Sequence, residues 1–442
     1  MQFSQEQQLA FDKYIQGNNI FITGPGGTGK SSLIKYIYQD ACRKGINIHV
    51  CALTGCAAVL LECKAKTIHS WGGIGLGNGT IEQIITKINK NKYAKSNWKK
   101  TNILIIDEVS MMSHKLFEIL DGVGKKIRKN SKPFGGIQLL FSGDFYQLPP
   151  VGNNDEIETT EFCFQSLFWQ QTFTLDNHIQ LIKIFRQSDP IYQKILNQVR
   201  EGRIKKSTNI ALLNNVGRSD IINGNVKPTK LFPTRNQVDN INIAEMNNLE
   251  GKEIEYKVKY HNDLEMTAME RMRRLEISRE QIKTELTYLK GNLRCDEILK
   301  LKIGAQVMCI VNIQLENDDI LCNGAQGIVI KIDGQGFPVV RYRNGYEMVM
   351  TNHVWPSETI PGIGVSQVPL ILAWALTIHK SQGSTLDVAE IDAGSSIFEC
   401  GQTYVALSRV KSLEGLYLTS FDVSKIKINK KVQEFYANLS KK

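Results

Sequence analysis

Phe21-Ile-Thr-Gly-Pro-Gly-Gly-Thr-Gly-Lys-Ser-Ser32 decides how this chain is read. Ile20 and Ile22 set an apolar beat before the loop, and Leu33, Ile34 and Ile37 follow it at helical spacing, so the context is strand, tight glycine loop, helix. Gly24, Gly26, Gly27 and Gly29, with Thr28 among them, free the backbone to wrap a polyphosphate with its N–H groups. The helix opening at Lys30-Ser31-Ser32 turns its positive end to the same anion. Lys30 is placed to reach β and γ phosphates, and Ser31 to set a hydroxyl on Mg²⁺.

A chain of 442 residues exceeds one ordinary core and suggests about three domains. Its 42% hydrophobic and 22% charged content is that of a soluble globular protein, and the formal charge of +10 favours a polyanionic partner. Nine cysteines show no repeating zinc spacing. Cys51, Cys56 and Cys63 sit in or beside apolar runs, which suits buried thiols in a reducing compartment better than metal ligands or disulfides. No apolar run reaches membrane-spanning length, and Met1–Ala10 resembles neither a secretory leader nor an Arg-rich transit segment, so no membrane role is expected.

Ahead of the glycine loop, Phe3–Ala10 reads as a helix capped by Ser4. Its Gln7 is suited to the edge of an adenine and reads equally as a surface Gln. Ile48–Leu53 is a second buried strand, and Thr54 and Thr67 stand at strand ends where hydroxyls can donate to a phosphate backbone. His69 divides evenly between packing and ligand. Residues 71–100 read as a small insertion projecting from the core, basic on its exposed side, or as a solvated helix and loop. Ile103-Leu-Ile-Ile-Asp-Glu-Val-Ser110 is the second strong signal, with paired acids at the C-terminal end of an apolar strand. Asp107 suits Mg²⁺, and Glu108 suits the polarising of an attacking water. A third strand, 137–142, delivers Gly143-Asp-Phe-Tyr-Gln-Leu-Pro-Pro150, where Gln147 can sense a γ phosphate. Phe145 and Tyr146 can stack on bases or fill the core beneath the loop.

Farther on, Arg186 ends an apolar run, a costly place for a guanidinium unless an anion meets it. Asp263–Lys290 is strongly charged with apolar residues at helical spacing, and reads as one or two solvated helices. Short strands over 301–342 are broken by Asn-Gly and Asp-Gly turns, which makes a small barrel the economical reading. Thr377, His379, Lys380, Ser381, Gln382 and Ser384 crowd around Gly383 after an apolar run, a poor core and a good set of phosphate contacts.

These blocks together resemble the Pif1-type DNA helicases of superfamily 1B, related to RecD-like helicases. The carriers are Gly24–Ser31, Thr54-Gly-x-Ala-Ala58, Thr67-x-His-Ser70, Ile106-Asp-Glu-x-Ser-Met111, Gly143-Asp-x-x-Gln-Leu-Pro-Pro150 and Gln402-Thr-Tyr-Val-Ala-Leu-Ser-Arg409. The resemblance implies that Gln7 contacts adenine, and that Thr67 and His69 lie on single-stranded DNA. It further implies that Arg186 and Arg409 reach the γ phosphate from the second motor domain, and that Thr377, His379, Lys380 and Gly383 join the DNA and nucleotide sites.

The expected fold class is α/β, with two RecA-like domains: 1–180 with a basic insertion near 71–100, and 181–425 with an SH3-like β-barrel insertion near 250–355. Residues 426–442 are left as a tail. ATP with Mg²⁺ is expected between the domains, with closure driving steps along DNA. The resemblance implies 5′ to 3′ movement on single-stranded DNA and unwinding of forked or tailed duplex. A monomeric, soluble, intracellular motor associated with DNA is expected, with replication or repair proteins as further partners. Two rival readings are an RNA-directed or RecD-like motor subunit of a nuclease complex, and a non-enzymatic ATP-gated single-stranded DNA-binding protein.

Overall fold

The computed structural model describes residues 3–439 apart from 62, 76, 78, 154, 219–225, 315–319, 322 and 358–359. Two compact units emerge: 1–208 with 398–408 and 424–442, and 209–397 with 409–423.

The first unit is built on a parallel sheet. Its strands are β1 (Ile20–Thr23), β2 (Ile48–Ala52), β3 (Lys66–Thr67), β4 (Ile103–Asp107), β5 (Gln138–Ser142) and β6 (His178–Gln180), in the order β3-β2-β4-β5-β1-β6. Near-continuous apolar runs suit such strands because helices cover both faces. The side chains alternate as the pleat requires. Ile20, Ile22, Ile103 and Ile105 join one core with α1 (Gln5–Ile15) and α2 (Lys30–Arg43). Phe21, Leu104 and Ile106 point into the other core, which holds most of the unit's aromatic rings.

Residues 81–100 do not project as expected. Two helices, α3 (Ile81–Lys90) and α4 (Lys92–Lys100), pack on α5 (His114–Arg128), with Ile84, Ile88 and Trp98 fully buried. Trp98 donates from its indole to the Gly72 carbonyl at 2.9 Å and meets the Trp71 ring at 4.7 Å. The lysines occupy the other side: Lys87, Lys90, Lys92, Lys99 and Lys100 are exposed, as the basic pattern implied. Their presence masks an apolar stripe that makes this segment part of the main core.

The expected boundary at 180 also differs from the observed packing. Leu181 N–H donates to the Thr23 carbonyl at 2.8 Å and Phe185 N–H to the Gly27 carbonyl at 2.8 Å, so the chain runs on along the glycine loop. The end of the chain returns to this unit too: the helix Lys430–Leu439 buries Val432 and Tyr436 in the aromatic core.

The second unit has a four-stranded parallel sheet in the order 375–377, 229–232, 389–393, 416–421. Its insertion contains a five-stranded antiparallel sheet in the order 347–349, 338–342, 326–332, 306–309, 370–372. The charged stretch forms two helices, Ala268–Leu275 and Arg279–Gly291, neither with a fully buried side chain. Cys51 and Cys63 are buried, as expected; the side chain of Cys56 lies outside the described residues.

Where the loop before α5 pairs with the 161–163 segment, His114 sits between two carboxylates, Glu161 at 3.0 Å from Nδ1 and Glu118 at 2.8 Å from Nε2. Burial works against charge on the ring, but the two carboxylates outweigh it and hold the imidazole pKa above its ordinary value. This stabilisation is complete below the unfolded value of about 6.5 and is lost as pH rises through the raised folded value. Thermal melts across that range should show the advantage of the parent over His114→Asn shrinking with rising pH. Parallel pH profiles for the two proteins would contradict it.

Candidate nucleotide site

β1 stops at Thr23, and the loop that follows is shaped as much by neighbouring backbone as by any ligand. Gly24 adopts φ +139°, and a Cβ there would lie 2.3 Å from the Leu181 carbonyl oxygen. A Cβ on Gly27 would lie 2.6 Å from the Cβ of Arg186. Thr28 closes the loop internally, its hydroxyl donating to the Pro25 carbonyl at 2.9 Å, and Gly29 caps α2 in the left-handed region. Gly26 N–H donates to the Tyr404 hydroxyl at 2.8 Å.

Lys30 folds back so that Nζ donates to the carbonyls of Gly24 at 2.7 Å and Pro25 at 3.0 Å. Burial pushes its pKa down, while Asp144, Glu108 and Asp107 pull it back up. Ser31 is exposed on the first turn of α2 and Ser32 is half-buried. Gln7 is not a surface residue. It is 2% exposed, its Oε1 accepts from Ser4 N–H at 3.0 Å in a capping box, and its Nε2 donates to the Thr28 carbonyl at 3.3 Å.

β4 delivers Asp107 and Glu108. Burial raises the Asp107 carboxyl pKa, against the pull of the Lys30 charge. Glu108 stands at φ 57°, ψ 38°, a left-handed conformation for a residue with a Cβ, which costs about 1 kcal/mol or more. That backbone turns the chain sharply straight after the strand. Arg186 donates to the Ser408 carbonyl at 3.3 Å. Burial lowers its pKa, with Tyr404 and Glu108 opposing. Gln147 is buried, and Gly401, at φ +77°, approaches its carbonyl so closely that a Cβ would lie 2.6 Å away. Lys30, Asp107, Glu108 and Arg186 are therefore gathered electrostatically in one unit.

The residues expected on DNA divide. Thr54 accepts from Ala57 N–H at 3.2 Å and Thr67 from Ser70 N–H at 3.3 Å, so both cap the short helices that follow β2 and β3. His69 is half-buried on the helix that Thr67 caps, and its burial lowers its pKa. Phe145 corrects the expectation of base stacking. It is 1% exposed and lies among Phe21, Phe162, Phe164, Trp169 and Phe435, with no face left for a base. Tyr146 is likewise buried, stacked on Tyr436.

In the second unit, Thr377 ends its strand and accepts from Lys380 N–H at 3.1 Å, with His379 and Gly383 exposed and Lys380 half-buried. Buried Arg294 holds this loop, donating to the Lys380 carbonyl at 2.6 Å and to Ser384 Oγ at 3.1 Å. Arg409 is buried, and its carbonyl accepts from Leu386 N–H at 2.9 Å.

Sequence reasoning passed over Asp144, Arg200 and Tyr436. Asp144 and Arg200 form a bidentate pair with both contacts at 2.8 Å and both side chains almost wholly buried. Asp144 stood inside a motif already quoted, and its place beside Gly143 was the available signal. Arg200 and Tyr436 carry no local signature, because their roles arise from contacts distant in sequence.

A family model described as PIF1-like helicase matches residues 2–219, and one described as DNA helicase Pif1, 2B domain, matches 287–332. The ATP-dependent DNA helicase PIF1 of Emericella nidulans is 36% identical, over 96% of this chain and 61% of the relative. The chain spans less than two thirds of the length of the curated relatives it matches first. The Bacteroides Pif1 helicase in complex with ADP-AlF3 and ssDNA superposes with a TM-score of 0.65 at 28% identity, covering 100% of this chain and 98% of that one. The crystal structure of Pif1 helicase from Candida albicans superposes with a TM-score of 0.76 at 35% identity, covering 99% of this chain and 100% of that one. At 35% identity along the whole length of that relative, and with the PIF1-like helicase model matching residues 2–219, the chain belongs to the Pif1-like helicase family.

Proposed function

We propose that this chain is an ATP-dependent DNA helicase that moves 5′ to 3′ on single-stranded DNA and unwinds forked or tailed duplex. The observation that supports it most is the gathering of Lys30, Asp107, Glu108 and Arg186 about one phosphate loop in a chain of this family. Single-stranded DNA as partner is carried over from the Bacteroides relative. The polarity rests on family resemblance.

In this reading the amides of Gly24, Gly26, Gly27, Thr28 and Gly29 and the ammonium of Lys30 cradle the phosphates, Ser32 lies at their margin, and Gln7 meets the adenine. Tyr404 leaves Gly26 N–H when phosphate arrives. Ser31 and Asp107 would hold Mg²⁺. Their chemistry fits, because a buried carboxyl whose charge is opposed by desolvation gains from a dication beside it. Bound Mg²⁺ supplies neutralisation of phosphate charge. Glu108 takes the proton of the attacking water, Gln147 orients that water against the γ phosphate, and Arg186 and Arg409 meet the charge that develops in the transition state. Gly383 belongs to the loop that senses nucleotide. Thr54, Thr67, His69, Thr377, His379 and Lys380 carry the DNA backbone, while Phe145 and Tyr146 hold the Gln147 loop from beneath.

ATP turnover measured with and without single-stranded DNA tests the proposal: DNA should stimulate it strongly, and Lys30→Ala should abolish it in a folded protein. Turnover indifferent to DNA, or parental turnover by the variant, would refute it. Glu108→Gln should still bind ATP and DNA yet stall in single-turnover hydrolysis, since the amide keeps the shape and loses the base. Hydrolysis by this variant at the parental rate would remove Glu108 from the chemistry.

Arg409→Ala should slow single-turnover cleavage by roughly tenfold or more, equivalent to about 1.4 kcal/mol, with much less effect on ATP affinity. Arg409→Lys should recover little, because it keeps the charge and loses the planar fork. Cleavage by Arg409→Ala at the parental rate would leave Arg186 as the sole arginine on the phosphate.

A further inference from the structure

The C-terminal helix Lys430–Leu439 places a hydroxyl between two elements of the nucleotide site. Tyr436 is 5% exposed, and its hydroxyl stands 2.6 Å from Thr23 Oγ1, the last residue of β1 before the glycine loop. The same oxygen accepts from Phe145 N–H at 3.1 Å and donates to Asp144 Oδ1 at 3.3 Å. In the short Thr23–Tyr436 contact either hydroxyl can donate. Phe145 and Asp144 belong to the loop after β5 that carries Gln147, and Gln147 N–H closes on the Asp144 carbonyl at 2.8 Å.

The surroundings keep this hydroxyl in place. The Tyr436 ring lies on the Tyr146 ring, centroids 4.7 Å apart and planes 12° from parallel. The Arg200 guanidinium faces both rings, at 4.5 Å from Tyr146 and 5.1 Å from Tyr436, while it grips Asp144 with two hydrogen bonds. A phenylalanine would fill the same space and make the same stack, so packing alone does not call for the oxygen. Polar groups this deep are costly to bury unless each finds its partner. Here the three partners come from the end of β1, where the glycine loop begins, and from the loop after β5 that carries Gln147.

We propose that Tyr436 is a positioning residue for ATP hydrolysis, whose hydroxyl ties Thr23 to the Asp144–Phe145 backbone and so sets the distance from the phosphate loop to Gln147. This rests on the reading of Gln147 as the group that orients the attacking water. The far end of the chain, 413 residues from Thr23, thereby becomes part of the catalytic frame.

Tyr436→Phe, Gln147→Ala and the double variant, each in the whole 442-residue chain, are compared in DNA-stimulated ATP turnover, with thermal melts as the folding control. Tyr436→Phe should lower kcat by about tenfold while KM for ATP stays within about twofold, and should add no further loss in the Gln147→Ala background. Thr23→Val should reproduce the loss and Thr23→Ser, which keeps the hydroxyl, should not; this pair carries the test if Tyr436→Phe does not fold. Parental kcat in Tyr436→Phe, or a loss that multiplies fully with that of Gln147→Ala, would overturn the inference and leave the role of Gln147 standing. Parental kcat in Gln147→Ala would overturn both.

Discussion

A half-buried ammonium set beside buried carboxylates is the constraint on which the first unit depends. In its proposed role Lys30 stays charged to meet phosphate, yet burial favours its neutral form, and carboxylates on the neighbouring strand ends oppose that shift. Those carboxylates carry the converse problem, since Asp107 is itself pushed towards its neutral form by burial. Each charge makes the other tolerable, which ties the glycine loop to the tip of β4. Asp144 extends the arrangement to the loop after β5, and Arg200 balances Asp144 in turn. Removing one member of such a buried pair typically costs about 3–5 kcal/mol, so the frame around the nucleotide is also a stability element.

The parts of the site that lie within one strand and its following loop were legible in the sequence. Gly24 to Ser32 after β1, and Asp107 and Glu108 after β4, announce themselves because an apolar run followed by glycine or acid has few other physical uses. Even there the glycines do more than the pattern implies. Gly24 and Gly27 lie so close to Leu181 and Arg186 that a side chain would strike protein before it struck phosphate. The segment 181–187 thus selects glycine at these positions independently of the ligand.

What the sequence concealed depends on contacts far apart in the chain. Lysines spread over 87–100 hide the apolar stripe of Ile84, Ile88 and Trp98, which is why a projecting insertion was the natural reading of a segment that completes the core. Phe145 stands among polar loop residues, and only the convergence of Phe21, Phe162, Phe164, Trp169 and Phe435 shows that its ring is structural. The C-terminal helix is the largest such case. Val432 and Tyr436 repeat at a spacing of one helical turn, a signal too short to reveal that they return to the first unit.

As the proposed directional motor, the chain would use one phosphate site to drive movement along a DNA strand. Strand separation tests that claim most directly, with ATP and one duplex carrying its single-stranded tail at either the 5′ or the 3′ end. Efficient ATP-dependent separation of the 5′-tailed duplex, with little of the 3′-tailed one, is the predicted result. Equal separation of both, or separation that proceeds without ATP, would contradict it.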